Sequence, residues 1–159
     1  MLDHVILDYA LVFDIETVPG VKTFAELSPT MQEMWEQKAT RMGYLDKGAT
    51  VAESYETWAG IFAEFGKVIC ISAGYFKKDP DTGRQTLRIR SFASRDEKEL
   101  LLAFVDTLNK YFNQVGNHFF SGHNINEFDI PYCCRRMLVN GIELPGLLDI
   151  AGKKPWELK

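Results

Sequence analysis

The sequence has no apolar run approaching the roughly 18 residues that a membrane span needs. Its N-terminus carries neither the basic flank nor the small-residue cleavage site of a secretion signal. Cysteine is scarce: Cys70, Cys133 and Cys134 are odd in number and two are adjacent, which excludes a disulfide ladder and a C-x-x-C metal site. They are expected as small core or boundary residues in a reducing compartment, and the chain reads as soluble, cytoplasmic and free of membrane. A large excess of charge is also missing. With 18 basic against 22 acidic residues the net charge is −4, which argues against a protein that coats nucleic acid nonspecifically. It leaves room for an enzyme that grips a few phosphates through a local patch. No internal repeat and no low-complexity tract is present. What the chain does have is bulk: 46% hydrophobic residues, including eleven Phe, six Tyr and three Trp, enough to build a core and to rule out intrinsic disorder. A length of 159 residues accommodates one domain.

Ala10 to Ile15 is a short apolar run that ends in carboxylates and reads as a buried strand. Residues 22–64 are acidic, with seven Asp/Glu against four Lys/Arg, and form a helical insertion within the single domain spanning 1–159. Ser28-Pro29 supplies an N-cap and a first-turn proline, and a second helix is expected through Ala52 to Glu64. Val68 to Phe76 and Gln85 to Ala93 are strand-forming, and the Pro-, Asp- and Gly-containing stretch between them predicts a β-hairpin. Ser94-Arg95-Asp96-Glu97 matches a capping box. The helix behind it carries Leu101, Phe104, Val105, Leu108, Tyr111 and Phe112 along one face. His118 to Gly122 reads as a short strand. A further helix starts near Glu127 to Ile130, where Pro131 is tolerated only in a first turn, and runs to Asn140 with Gly141 as terminator. Little regular structure is expected from Ile142 onward. The order is α/β, with antiparallel pairing on one side of a mixed sheet flanked by helices.

Asp14 and Glu16 stand two residues apart at a strand end, so both carboxylates project from one face. Their mutual repulsion would be relieved by a hard divalent cation with oxygen ligands; the alternative, a pair simply solvated at a strand end, stays open. Asp129 is in the first turn of a helix that follows a strand, where the helix dipole favours a carboxylate. Both acidic sites therefore lie where a strand hands the chain on, which is where open α/β sheets bind ligands.

Phe13-Asp14-Ile15-Glu16-Thr17 resembles the first motif of the DEDD 3′–5′ exonucleases, and Asn124-x-x-x-Phe128-Asp129 resembles the second. The context Phe128-Asp129-Ile130-Pro131-Tyr132 with Arg135 is similar to the proofreading domains of family-B DNA polymerases and to stand-alone bacterial proteins related to them. The resemblance implies a ribonuclease-H-like fold and two-metal phosphodiester hydrolysis. Asp14, Glu16 and Asp129 would hold two divalent ions, Mg or Mn, about 4 Å apart. Nucleoside 5′-monophosphates would leave from a single-stranded or frayed 3′ end, of DNA rather than RNA. It further implies that Thr17 contacts the terminal nucleotide, that Asn124 hydrogen-bonds near the substrate backbone, and that Phe128 packs beside the site.

The family also has a later Tyr-x-x-x-Asp or His-x-x-x-Asp motif, whose aromatic residue orients the attacking water. No such motif follows Asp129, and Asp149 in Leu147-Leu148-Asp149-Ile150 has no Tyr or His four residues before it. The chain is accordingly expected to be C-terminally truncated, without the last strand and C-terminal helices of the fold, and slow or inactive in cleavage. Two other readings are open: a nuclease-like module used for nucleic-acid binding or assembly without catalysis, and a haloacid-dehalogenase-like phosphatase, with Asp14 as first motif and Ser121 as second. Lys77 to Arg95 holds six basic and two acidic residues. Arg88 and Arg90 share one side of a strand, either steering nucleic acid toward the carboxylates or guarding a solvated edge from aggregation. Arg135 and Arg136 are expected at the surface, Trp35 and Trp58 in the core. His4, His118 and His123 are isolated and assigned no chemistry.

Overall fold

The computed structural model describes residues 5–46 and 48–149. The elements in chain order are β1 (Ala10–Pro19), α1 (Pro29–Arg41), α2 (Val51–Trp58), β2 (Gly66–Lys78), β3 (Gln85–Ala93), α3 (Glu97–Tyr111), β4 (Phe119–Ser121) and α4 (Asp129–Val139). The four strands form one mixed sheet in the order β3-β2-β1-β4. β1 and β4 run parallel, Ala10 to Val12 pairing with Phe119 to Ser121, while β2 and β3 form the expected antiparallel hairpin from Cys70↔Ala93 to Lys78↔Gln85. Among the described residues no helix is long and apolar enough to cross a membrane.

The chain divides into two compact units, residues 1–16 with 69–159 and residues 17–68. In the first, Leu101, Phe104, Val105, Leu108 and Phe112 of the expected α3 stripe are buried together with Leu100, whereas Tyr111 is 58% exposed and falls off the stripe. Phe104 receives Phe13 from β1 and Phe92 from β3, at ring-centroid distances of 5.5 and 5.6 Å. These contacts define the face of the sheet that α3 covers. Cys133 is fully buried and burial pushes its thiol far up; burial also holds Cys134 up at about 11. Neither is a thiolate at neutral pH, in keeping with packing roles.

The second unit has its own core, in which Trp35, Ala39, Tyr55, Ala59 and Phe65 are buried together. The Trp35 indole N–H donates to Ser54 Oγ at 3.1 Å, so the one polar atom of that side chain is satisfied. Ser28 caps α1 ahead of Pro29 as expected, its hydroxyl accepting from Met31 N–H. Thr50 and Glu53 form a reciprocal capping box on α2 that the sequence reading passed over.

Several elements depart from expectation. β1 continues through Thr17 to Pro19, so the two carboxylates lie within the strand and not at its end. The second helix stops at Trp58 and is followed by a short 3-10 turn through Ile61, in which Gly60 lies against backbone: a Cβ there would stand 3.2 Å from the Val18 carbonyl carbon. Trp58 is 42% exposed and not core, stacked on Tyr44 at 5.1 Å and 14°. The cap of α3 is Asp96, whose carboxylate accepts from Lys98 and Glu99 N–H; Ser94 instead accepts from Asp96 N–H and donates to Glu99. A carboxylate at the cap outcompetes the serine because it also complements the helix dipole. Glu97, freed from the box, accepts from Arg136 through Nε and Nη2 and from Asn140 Nδ2. Arg136 is therefore tied to α3 and is not a surface residue. Residues 142–149 contain no helix or strand, as expected, and the remainder of that tail lies outside the described residues.

Candidate active site

Asp14 and Glu16 are exposed, while Phe13 and Ile15 between and beside them are buried. The alternation of a pleated strand therefore places both carboxylates on the face opposite α3. β4 pairs with β1 only as far as Val12. Beyond that point the N–H of Ile15 needs another acceptor, since a buried backbone donor left unpaired is costly. Asp129 supplies it. Its Oδ1 accepts from Ile15 N at 3.1 Å, a buried bond across 114 residues of sequence. Asp129 is the first residue of α4, only 3% exposed, and joins the backbone between the two β1 carboxylates. Burial raises its pKa above the ordinary carboxylate range, and the negative charge of Asp14 raises it further. The Ile15 hydrogen bond, its own backbone and nearby His123 oppose that shift.

Two features upstream of α4 make the approach possible. At Gly122 a Cβ would sit 2.7 Å from the Phe13 carbonyl oxygen, so any side chain there would push the turn off β1. Asn124 adopts φ 54°, a left-handed conformation that Asn tolerates better than most residues. Its carbonyl accepts from the N–H groups of both Glu127 and Phe128, closing the turn that aims Asp129 back at the strand.

Asp14, Glu16 and Asp129 are thus brought to the same stretch of β1. Asn124 is exposed in the turn, Phe128 is half-buried against Tyr132 at 5.4 Å, and Thr17 is half-buried directly after Glu16. Asp149 is exposed after a turn in which its N–H donates to the Pro145 carbonyl. Sequence reasoning missed Gly122, whose position between a strand and the Asn124 motif was the available signal, and it set aside His123, which lies close enough to influence Asp129.

Arg88 and Arg90 lie on the other side of the sheet. They share a face with Phe92, which meets α3, and the Arg90 guanidinium stands 4.7 Å over the Phe92 ring. The arginine pair therefore does not point with the carboxylates, and the steering role considered for it is not supported by the geometry. Leu87 and Ile89, with Ser91 and Gln85, are the β3 residues on the carboxylate side of the hairpin.

A family model described as the exonuclease domain of DNA polymerase family B matches residues 10–155. The chain belongs to this family. It is an exonuclease domain, with the mixed, helix-flanked sheet of the ribonuclease-H-like fold, and membership makes it a hydrolase of nucleic acids by descent. The dehalogenase-like phosphatase reading falls with that assignment. Among curated proteins none matches the chain.

Asp14, Glu16 and Asp129 would offer a divalent ion three carboxylates, the hard oxygen ligands that Mg2+ and Mn2+ take. Asp14 and Asp129 also repel each other, a repulsion that a cation would cancel. The donor chemistry fits a divalent ion. Among the described residues, however, no three His, Cys, Asp or Glu side chains are gathered as a ready metal-ligating group.

Proposed function

We propose that the chain is a divalent-metal-dependent 3′–5′ exonuclease domain that removes nucleoside 5′-monophosphates one at a time from single-stranded or frayed DNA ends. The observation that carries this reading is the Asp129–Ile15 hydrogen bond, which joins the second acidic motif to the backbone of the first. Asp14, Glu16 and Asp129 would hold the ions. When bound, these acidify a water for in-line attack and stabilise the leaving 3′ oxygen. Asp14 and Glu16, being exposed, are accessible to a polymer end. Asp129 would bind an ion as the carboxylate, and the Ile15 N–H favours that charged form against the cost of burial. Asn124 offers its exposed amide to the substrate backbone, Thr17 contacts the terminal nucleotide, and Phe128 packs beside the site. DNA is preferred over RNA as the substrate of the polymerase family to which the domain belongs. No Tyr-x-x-x-Asp or His-x-x-x-Asp motif follows Asp129 in the sequence, and no side chain is assigned to orient the water.

The test is a 5′-labelled single-stranded DNA incubated with excess protein and Mn2+, comparing wild type with Asp14→Ala. Wild type is expected to give a ladder shortening from the 3′ end and the variant none. Equal ladders from both proteins would overturn the assignment of Asp14. Tight binding by wild type with no ladder at any protein excess would establish the non-catalytic binding module in its place.

A further inference from the structure

The hairpin presents its arginines on the side of the sheet away from the carboxylates. Phe92 meets Phe104 of α3, so by alternation Arg90 and Arg88 follow it along that side of β3. The register sets Tyr75 opposite Arg88 and Lys77 opposite Thr86, which brings Lys77 to the same side. All three cations are exposed, and among the described residues none of them has an ion-pair partner. The only acidic residues of the ribbon, Asp79 and Asp81, are at its turn, where Asp79 Oδ1 accepts from the N–H groups of Asp81 and Thr82 and from the Thr82 hydroxyl. Lys77 feels the charge of Asp79; Arg88 and Arg90 are balanced by no carboxylate. A strand that needs only protection from edge pairing is served by any charge, lysine above all. Here the Arg90 guanidinium is instead held 4.7 Å over the Phe92 ring, which fixes the fork and leaves its donors free. At the end of α3, Phe112 packs at 6.4 Å against Tyr75, the cross-strand neighbour of Arg88. Tyr111, one residue earlier, is exposed, with Lys110 Nζ 5.2 Å from its ring. A row of cations is thus bordered by an open aromatic face.

We propose that this side of the ribbon is a second contact for nucleic acid, in which Arg88, Arg90 and Lys77 hold phosphates of the strand behind the reacting end and Tyr111 stacks on one of its bases. The inference rests on the exonuclease reading for the identity of its occupant. Two observations choose a nucleic acid over an acidic protein. Arginines at alternate positions of a strand stand about 7 Å apart, a regular row of bidentate forks that suits repeating phosphates. The exposed ring of Tyr111 offers a stacking surface for which a polycarboxylate has no use. The topology leaves a route open. Phe13 and Phe92 meet the same ring of α3, so Asp14 and Phe92 lie at a similar level of the sheet. Arg88 is four residues from Phe92, about 13 Å along the strand. β3 is the edge of the sheet, and no described strand lies beyond it. A polymer leaving the carboxylates rounds that open edge to reach the arginines. These residues anchor the polymer and touch no reacting atom.

The experiment measures anisotropy of a 5′-fluorescein 20-nucleotide strand of thymidines, and of the same strand with abasic sites in place of the bases, in Ca2+ buffer over a series of NaCl concentrations. The proteins are wild type, Arg88→Gln/Arg90→Gln, Lys77→Gln/Arg88→Gln and Tyr111→Ser, each checked for fold by circular dichroism and for size by light scattering. The second glutamine pair leaves Arg90 on Phe92 and so keeps that packing intact. Each glutamine pair is expected to flatten the slope of log affinity against log salt by about 1.4, the counterions of two phosphates on a single strand. Tyr111→Ser should keep the wild-type slope and bind the thymidine strand about fivefold more weakly, with the abasic strand unaffected. Glutamine variants with the wild-type slope overturn the contact. So do variants whose only change is aggregation, which would make the arginines guards of the edge. A labelled polyglutamate that binds as tightly as the thymidine strand, and is lost in the same variants, gives the surface to an acidic protein and overturns the nucleic acid. Tyr111→Ser that changes neither strand overturns the stacking. The Mn2+ ladder reports on cleavage separately: a ladder with unchanged slopes overturns this contact alone, and flattened slopes without a ladder overturn the exonuclease reading alone.

Discussion

At Asp129 two opposed influences meet on one carboxylate. Burial and the neighbouring charge of Asp14 favour the protonated form, while the Ile15 N–H favours the charged one, and the balance leaves the pKa raised. The folded state therefore holds a proton that the unfolded chain has already lost. Its stabilising contribution is fully present below the ordinary carboxylate pKa and disappears as pH rises through the raised value. Asp129→Asn cannot titrate. In metal-free buffer, urea midpoints of the wild type should fall relative to those of the variant as pH climbs through that acid window. A constant difference between the two would show that Asp129 is not perturbed by folding. Gly122 acts through volume alone. Adding a methyl group 2.7 Å from the Phe13 carbonyl oxygen forces the turn away from β1, at a cost of about 1–3 kcal/mol if the backbone must shift. Gly122→Ala is expected to lower the urea midpoint accordingly and to speed amide exchange at Ile15. Unchanged exchange there would mean that the turn absorbs the methyl without disturbing the Asp129 bond.

Among the elements, α3 and α4 are joined by a polar clasp. Glu97 at the start of α3 accepts from Arg136 Nη2 at 2.6 Å, and side-chain exposure is only 8% and 14% for the two partners. Removing one partner strands the other in a poorly hydrated place, which costs about 3–5 kcal/mol for a buried pair. Replacing both with apolar residues of similar volume costs far less. Glu97→Ala is therefore expected to be severely destabilising, and Glu97→Leu/Arg136→Met to recover most of the loss in thermal denaturation. If the double variant is as unstable as the single, the clasp works through specific geometry and not through burial of an unpaired charge. The same region shows what local pattern reading confuses. Ser94 and Glu97 have capping-box spacing, yet Asp96 takes the cap and Glu97 goes to a residue 39 positions away. Spacing rules register which residues fit a helix start. They do not register a distant cation competing for one of them.

Over the whole molecule, the strands, the hairpin, the α3 stripe and the helix behind Asp129 were legible because each rests on local periodicity or turn chemistry. The three carboxylates were legible only as two separate motifs. The bond that ties Asp129 to β1 depends on Gly122, on the left-handed Asn124 and on an N–H left over where β4 stops, none of which leaves a periodic trace. The face on which Arg88 and Arg90 fall was equally invisible, because alternation assigns them to a side without saying which side meets α3. The acidic site also links the charge of the chain to its stability. Asp14 and Asp129 repel each other in the fold and are dispersed in the unfolded chain, so a cation that binds between them stabilises only the native state. At a hundred times its dissociation constant such an ion contributes about 2.7 kcal/mol, equivalent to about 5–10 °C in a domain of this size. Mn2+ is therefore expected to raise the melting temperature of wild type by that amount, and Asp14→Ala/Asp129→Asn by far less, with ionic strength matched by NaCl throughout. An equal rise in both proteins would place the bound ion elsewhere, because simple screening is the same for each and only the paired carboxylates differ.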